Sequence, residues 1–295
     1  MKSKSNTGRS RRWARNTIAE LDPRVDDARI THLSAEVRYG DPVLTAALYT
    51  VAFLRQMAVP SIAAVVHRGG RGPIMRSTRK RNDDTMVFFG EFMQNGHSSE
   101  RGRAAIERLN EIHAPFPITN DQSLYTLASL SFEAARIPSF VGVDLLTDRE
   151  KEANLRFWRG VGKQMGLHDI PETYDEFWDW SCRYERDNWA FSAGGVAVAQ
   201  AMIDDYAARW LPPRLQFLGR AFVAALCEDE LLDVHGLPRP KRGVRPTIGV
   251  VLRLYAIGRR ILPDPQERSW TDYFGSEYGS CPHLAEVGYR GKRTP

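Results

Sequence analysis

Residues 43–54 carry no charged side chain and are apolar at nearly every position. A helix of that composition has no wet face, so other elements must enclose it on most sides. Asp41-Pro42 marks its start, with an acceptor for free backbone N–H groups followed by a proline in the first turn. The same punctuation recurs down the chain. Thr119-Asn120-Asp121-Gln122 and Thr147-Asp148-Arg149-Glu150 both have capping-box spacing. The first opens a helix that Pro138 should stop, and the second a helix that ends at Gly166. Pro60 and Pro171 begin further helices, residues 192–210 stop at Pro212-Pro213, and 215–227 and 246–262 follow. Short helical patterns surround Leu21-Asp22-Pro23 and residues 30–37. Asp83-Asp84 precede a helix over 85–93 as capping acids that favour its dipole, and Ser98-Ser99 precede another from residue 100. Alternating runs bounded by Asn-Gly or Asp-Gly turns are nearly absent. With no internal repeat and no dividing linker, the expectation is one all-α domain over residues 17–295.

Ahead of it, residues 1–16 hold Lys2, Lys4, Arg9, Arg11, Arg12 and Arg15 and no acid, and read as a disordered basic tail. The net charge of +5 belongs to this tail, because without those six the chain has 35 basic against 36 acidic side chains. A nucleic-acid-binding protein carries its basic charge on the folded surface, so no nucleic-acid partner is expected. Three widely spaced cysteines, Cys182, Cys227 and Cys281, form no CxxC and point to a reducing compartment without disulfides. The N-terminus lacks the apolar core of a signal peptide. The longest uncharged runs, 43–54 and 190–203, fall short of the roughly 20 residues that span a bilayer. A soluble, cytoplasmic protein with no stable membrane span follows as the expectation. Oligomeric state is not legible.

Residues 100–117 end in the feature with most chemical content. As a helix they place Ala105, Ile106, Leu109, Ile112 and His113 on one side, and Pro115 and Pro117 end the helix just beyond. The imidazole at the end of this apolar stripe has two uses. It bonds a backbone carbonyl, or it ligates a metal through a neutral ring nitrogen. No second His or Cys lies within three to five residues, so a zinc site of ordinary spacing has no support. Haem iron needs only one protein ligand, since the porphyrin supplies the other equatorial donors.

Residues 67–81 interleave His67, Arg68, Arg71, Arg76, Arg79, Lys80 and Arg81 with glycines and a proline, and contain no acid. This is either a solvated basic loop or an anion site in which guanidinium groups meet carboxylates. GxxxxGK[ST] is absent, so it is not a phosphate loop. His67, His97, His168, His235 and His283 read as surface or structural, and Trp178-Asp179-Trp180 as core packing.

In order along the chain stand Leu21-Asp22-Pro23 with Asp26-Asp27, Ala58-Val59-Pro60-Ser61-Ile62-Ala63 and Arg81-Asn82-Asp83-Asp84-Thr85. Ile106-Glu107-Arg108-Leu109-Asn110-Glu111-Ile112-His113 and Leu124-Tyr125-Thr126-Leu127 come next. Met165-Gly166, Ile170-Pro171 and Tyr184-Glu185 complete the series. In this order and spacing, over roughly residues 20–262, the chain resembles the rubber-oxygenase or MpaB-type oxygenase family, which includes the latex-clearing proteins.

The resemblance implies an all-helical fold with a globin-like core around one non-covalent haem b. The family's proximal iron ligand is the histidine of the motif that reads Asn110-x-x-His113 here. Its polar pocket draws on an Arg-x-x-x-Thr motif matched by Arg81 and Thr85. In latex-clearing proteins a lysine that can occupy the distal iron position precedes that threonine; Asp84 stands there in this chain, and no acidic catalytic base aligns. The implied activity is haem-dependent oxygenation, with dioxygen cleaving a carbon–carbon double bond in an apolar, isoprenoid-like small molecule. Arg81 would offer positive charge to a propionate or a developing oxyanion, and Thr85 a hydroxyl to oxygen or a pocket water. Two other readings remain: a haem-binding sensor or carrier without turnover, and a haem-free helical scaffold with a basic anchoring tail.

Overall fold

The computed structural model describes residues 10–141, 144–276 and 283–288. Among them all regular structure is helical. The uncharged run forms α3 (Pro42–Met57), whose start is fixed by Asp41 Oδ1 accepting from Val43 N at 3.0 Å and Leu44 N at 3.2 Å. Almost every residue from Leu44 to Met57 is buried, as a helix without a wet face requires.

The helices that enclose α3 are α4 (Pro60–His67), α8 (Asn120–Val141), α11 (Ala193–Trp210) and α12 (Gln216–Leu226). One close approach depends on a missing side chain. A Cβ on Gly195 would stand 2.3 Å from Met57 O, so only glycine lets the first turn of α11 sit on the last residue of α3. Around this centre lie α5 (Pro73–Arg76), α6 (Thr78–Asn95), α7 (Glu100–His113) and α9 (Asp148–Gln164), then α10 (Tyr174–Asn188), α13 (Asp229–Val234) and α14 (Val244–Ile261). Predicted caps are in place: Thr119 with Gln122 at the head of α8, Thr147 with Glu150 at α9, and Ser99 accepting from Gly102 N at α7. Gly166 closes α9 with a φ of +79°, which favours glycine. Cys182 and Cys227 are free thiols; Cys281 and the first nine residues of the basic tail lie outside the described residues. No single helix among the described residues is long and apolar enough to cross a membrane; α3 and the residues from Pro60 to Gly70 pass only as a pair bent by 110°.

Several expectations are corrected. The tail does not run to residue 16, because α1 (Trp13–Glu20) begins earlier. Trp13 and Ile18 bury themselves with Ile30, Leu33 and Val37 in a small satellite core. The last three belong to α2 (Asp27–Thr31) and the π-helical turn that continues it, His32–Arg38. Trp13 Nε1 donates to Pro265 O at 2.9 Å, and Arg15 N donates to Asp264 Oδ2 at 3.0 Å. Helix α8 continues through Pro138 to Val141, since proline removes one donor while its φ still fits a helix. Helix α10 starts at Tyr174 rather than Pro171, where the Thr173–Glu176 capping box closes.

Asp83 and Asp84 do not cap a helix. They lie inside α6, which starts at Thr78, and each carboxylate is held by a cation: Asp83 by Arg209 at 2.6 Å, Asp84 by Lys80 at 3.1 Å. A short final helix, α15 (Trp270–Phe274), packs on α6. With Ser269 Oγ and Trp270 N, each at 2.8 Å, it satisfies the fully buried Glu36, whose other oxygen meets His32 at 2.5 Å. His32 is thus a structural histidine that sequence reasoning passed over. His235, read as surface or structural, is structural: it is buried against Leu54 O at 2.8 Å.

Candidate functional site

Helices α4, α6, α7, α8 and α9 meet around a cavity of about 1430 Å³ of empty space, its open mouth included. Its walls are mostly apolar, with Phe88, Phe89, Phe92, Ile112, Leu127 and Trp158 among them. Into it face His113 from the last turn of α7 and Arg81 with Thr85, one turn apart on α6. The capped start at Ser99 and the stop at His113 set where the imidazole sits. The stripe predicted for α7 is buried through Ala105 and Ile106 and half-buried at Leu109, Ile112 and His113.

The electrostatics of this corner are one-sided. Burial, with the charge of Arg81 adding to it, drives the His113 imidazole from 6.5 down to about 4. The ring is therefore neutral at physiological pH, with a nitrogen lone pair to give. Arg81 Nη1 donates to Thr85 Oγ1, whose own hydroxyl also reaches Arg81 O at 3.0 Å. No Asp, Glu or Lys lines the cavity among the described residues. Asp84 is turned to Lys80 and takes no part in the lining.

The basic segment 67–81 divides on the fold. Arg68 and Arg81 line the cavity, Arg68 with its guanidinium 4.0 Å from the Phe116 ring and Nε donating to Val65 O at 3.1 Å. Arg79 instead pairs with Asp205 at 2.9 Å, and Lys80 with Asp84. Neither a uniform solvated loop nor one concerted anion site describes it.

Sequence reasoning missed Tyr49. It is buried on α3 and lines the cavity beside Thr85. Burial pushes its pKa up, while Arg81 and Thr85 beside it pull the other way. Gln122, Ser123 and Thr126 on α8 add further polar edges. A single tyrosine inside an apolar run gives no signal; the spacing of Gln122 and Thr126, one turn apart, would have placed them on one face.

Behind this space lies a second cavity of about 860 Å³, between α3, α6, α8 and α9. Tyr49, Phe89, Leu130 and Trp158 line both. Their rings meet edge to face, Phe89 with Trp158 at 5.6 Å and with Tyr49 at 6.3 Å between centroids.

Known proteins resemble this chain over most of its length. Residues 37–259 match the family described as ER-bound oxygenase mpaB/B′/Rubber oxygenase, catalytic domain. ER-bound oxygenase mpaB′ of Penicillium brevicompactum is 26% identical over 236 residues, which span 73% of this chain and 54% of that protein. ER-bound oxygenase mpaB of Penicillium roqueforti (strain FM164) is 25% identical over 120 residues, 39% of this chain and 40% of that one. The chain thus spans about half, or less, of the length of these curated relatives. Among solved structures, Latex Clearing Protein LCP in the closed state superposes with a TM-score of 0.64 at 18% identity, covering 86% of this chain and 74% of that one.

Proposed function

The chain belongs to the mpaB/B′ and rubber oxygenase catalytic-domain family, and we propose that it is a haem b-dependent oxygenase acting on an apolar, isoprenoid-like unsaturated substrate. One observation carries the proposal: a single neutral imidazole, His113, at the wall of a large apolar cavity that contains no acid.

The residues present fit haem. Among the described residues no group of three or more His, Cys, Asp or Glu converges as a metal site. The cavity therefore suits a metal that brings most of its own donors, with His113 as the one protein ligand. Arg68 and Arg81, both on the cavity, offer two guanidinium groups for the two carboxylates such a macrocycle carries. The aromatic and aliphatic walls suit its faces. Bound haem would supply the activation of dioxygen.

The chain's own residues do the rest. His113 stays unprotonated and keeps a ring nitrogen directed at the ligand space. Arg81 holds the Thr85 hydroxyl, whose proton goes to Arg81 O, so the polar corner presents a fixed cation to the ligand space. The apolar walls admit an alkene chain and exclude water. Cleavage of one C=C bond by one O₂ leaves two carbonyl ends and uses both oxygen atoms, so no outside reductant is needed. In the absence of a lining carboxylate, any proton moved in the cavity must come from a hydroxyl, an imidazole or water.

The purified protein should show a Soret band with near-stoichiometric haem by pyridine haemochromogen, and His113→Ala should lose or shift it. Incubation with an unsaturated isoprenoid and dioxygen should then yield carbonyl-ended fragments by mass spectrometry. A red protein without turnover on any alkene would leave a haem carrier. A protein that stays colourless after reconstitution would sink the reading.

A further inference from the structure

We propose that the outer face of α14 docks on an anionic lipid surface. Helix α14 packs on α8 and α12 through one side, where Leu252 and Ala256 are buried. Its other side bears Val250, Val251, Leu254, Ile257 and Ile261, continued by Leu262. These recur at helical spacing and form one strip. They are unusually bare: Leu254 is 63% and Ile261 68% exposed. Scattered apolar residues on a surface mean little, but a contiguous strip along a whole helix marks an interaction face.

Charge indicates what covers it. The helix contains arginines and no acid. Arg253 and Arg260, both exposed, fall along one border of the strip, and exposed Lys241 and Arg242 precede its first turn. At its far end the chain's basic N-terminal segment arrives. Arg11 O accepts from Asp264 N at 2.8 Å, and Arg15 donates to Arg260 O, to Arg259 O at 3.3 Å and to Leu262 O at 3.4 Å. Arg11 and Arg12, both exposed, lie on the segment so anchored. Arg260 also donates to Asp144 O at 2.9 Å, and Asp264 is itself held by Arg15.

A second copy of this chain does not suit the strip, because two such helices would bring arginine borders together with no acid on either to offset them. Aliphatic side chains flanked by cations match the boundary between acyl chains and anionic headgroups.

The test is co-sedimentation of the full-length protein with vesicles of phosphatidylcholine alone and of phosphatidylcholine mixed with phosphatidylserine. Binding to the mixed vesicles should be stronger by about tenfold or more and should fall as salt rises. L254D/I257D, at two exposed positions where an unchanged circular dichroism spectrum is expected, should abolish it. R253E/R260E should remove the preference for the mixed vesicles. Absence of the protein from both pellets, or equal binding of the wild type and L254D/I257D, overturns the proposal. So does a stable dimer in light scattering that L254D/I257D converts to monomer. None of these readouts depends on haem.

Discussion

Tyr49 and Arg55 stand less than two turns apart on α3 and face opposite kinds of interior. Around Arg55 every strong charge has been answered. Its fully buried guanidinium lies 2.8 Å from Glu133, 2.5 Å from Glu228 and 3.5 Å from Glu185, and Arg136 holds Glu185 at 3.0 Å. Burial alone would depress the Arg55 pKa, yet these carboxylates raise it well above its usual value. Tyr125 completes the cluster, donating toward Glu185 at 3.2 Å and accepting from Trp189 Nε1 at 3.0 Å. Around Tyr49, by contrast, a hydroxyl, an imidazole and a guanidinium line one apolar cavity, and among the described residues no acid lines it. The first region pairs its charges with one another and fixes the fold; the second sets a cation and a neutral imidazole on an apolar wall without a counter-charge.

The sharpest way to break this contrast is Arg55→Met. It strands the buried Glu133 and takes a partner from Glu185 and Glu228, and should cost about 3–5 kcal/mol by chemical denaturation. Asp84→Asn, at a pair half open to solvent, should stay within about 1 kcal/mol. If the two variants were equally stable, the cluster would not be the clamp described.

A matched pair of tyrosines reads the difference more finely. Tyr125→Phe removes a hydroxyl engaged with Glu185 and Trp189 and should destabilise by about 1–3 kcal/mol. Tyr49→Phe removes one beside Thr85 with no charged partner and should cost the haem-free protein less, within about 1 kcal/mol, in the same assay. Equal losses would place Tyr49 in a network after all.

The smallest effect is a titration. The folded-state pKa of His113 lies below its unfolded value, so the unfolded chain takes up the proton first as pH falls. Its contribution to stability is complete above about 6.5, is lost between 6.5 and about 4, and is flat below. Thermal melts of haem-free protein should show wild type losing more stability than His113→Gln across that window. Parallel curves would mean the imidazole is not desolvated.

Local signals made part of this readable in advance. The charge-free run 43–54 demanded an enclosing shell of helices, and the capping residues marked most starts to within a residue or two. The apolar stripe that ends in His113 pointed the ring inward, whereas Arg81 and Thr85 came from the resemblance alone, since the helix that carries both begins at Thr78 and not at residue 85. What failed was long-range. Arg55 meets Glu133 from 78 residues away and Glu228 from 173, separations at which no periodicity carries information. Asp83 and Asp84 looked like caps because their cations were out of view: Lys80 was assigned to a loop and Arg209 lies on α11. Trp13 was counted with the tail because its acceptor, Pro265 O, belongs to the other end of the chain.

The four side chains that line both cavities form a partition one residue thick. Trp158 is its largest panel, and it belongs to α9, not to the helices that carry His113 and Arg81. A small residue at that position would remove this panel and leave Tyr49, Phe89 and Leu130 between the two compartments. The wall between them thus depends in part on a helix apart from those that carry the chemistry.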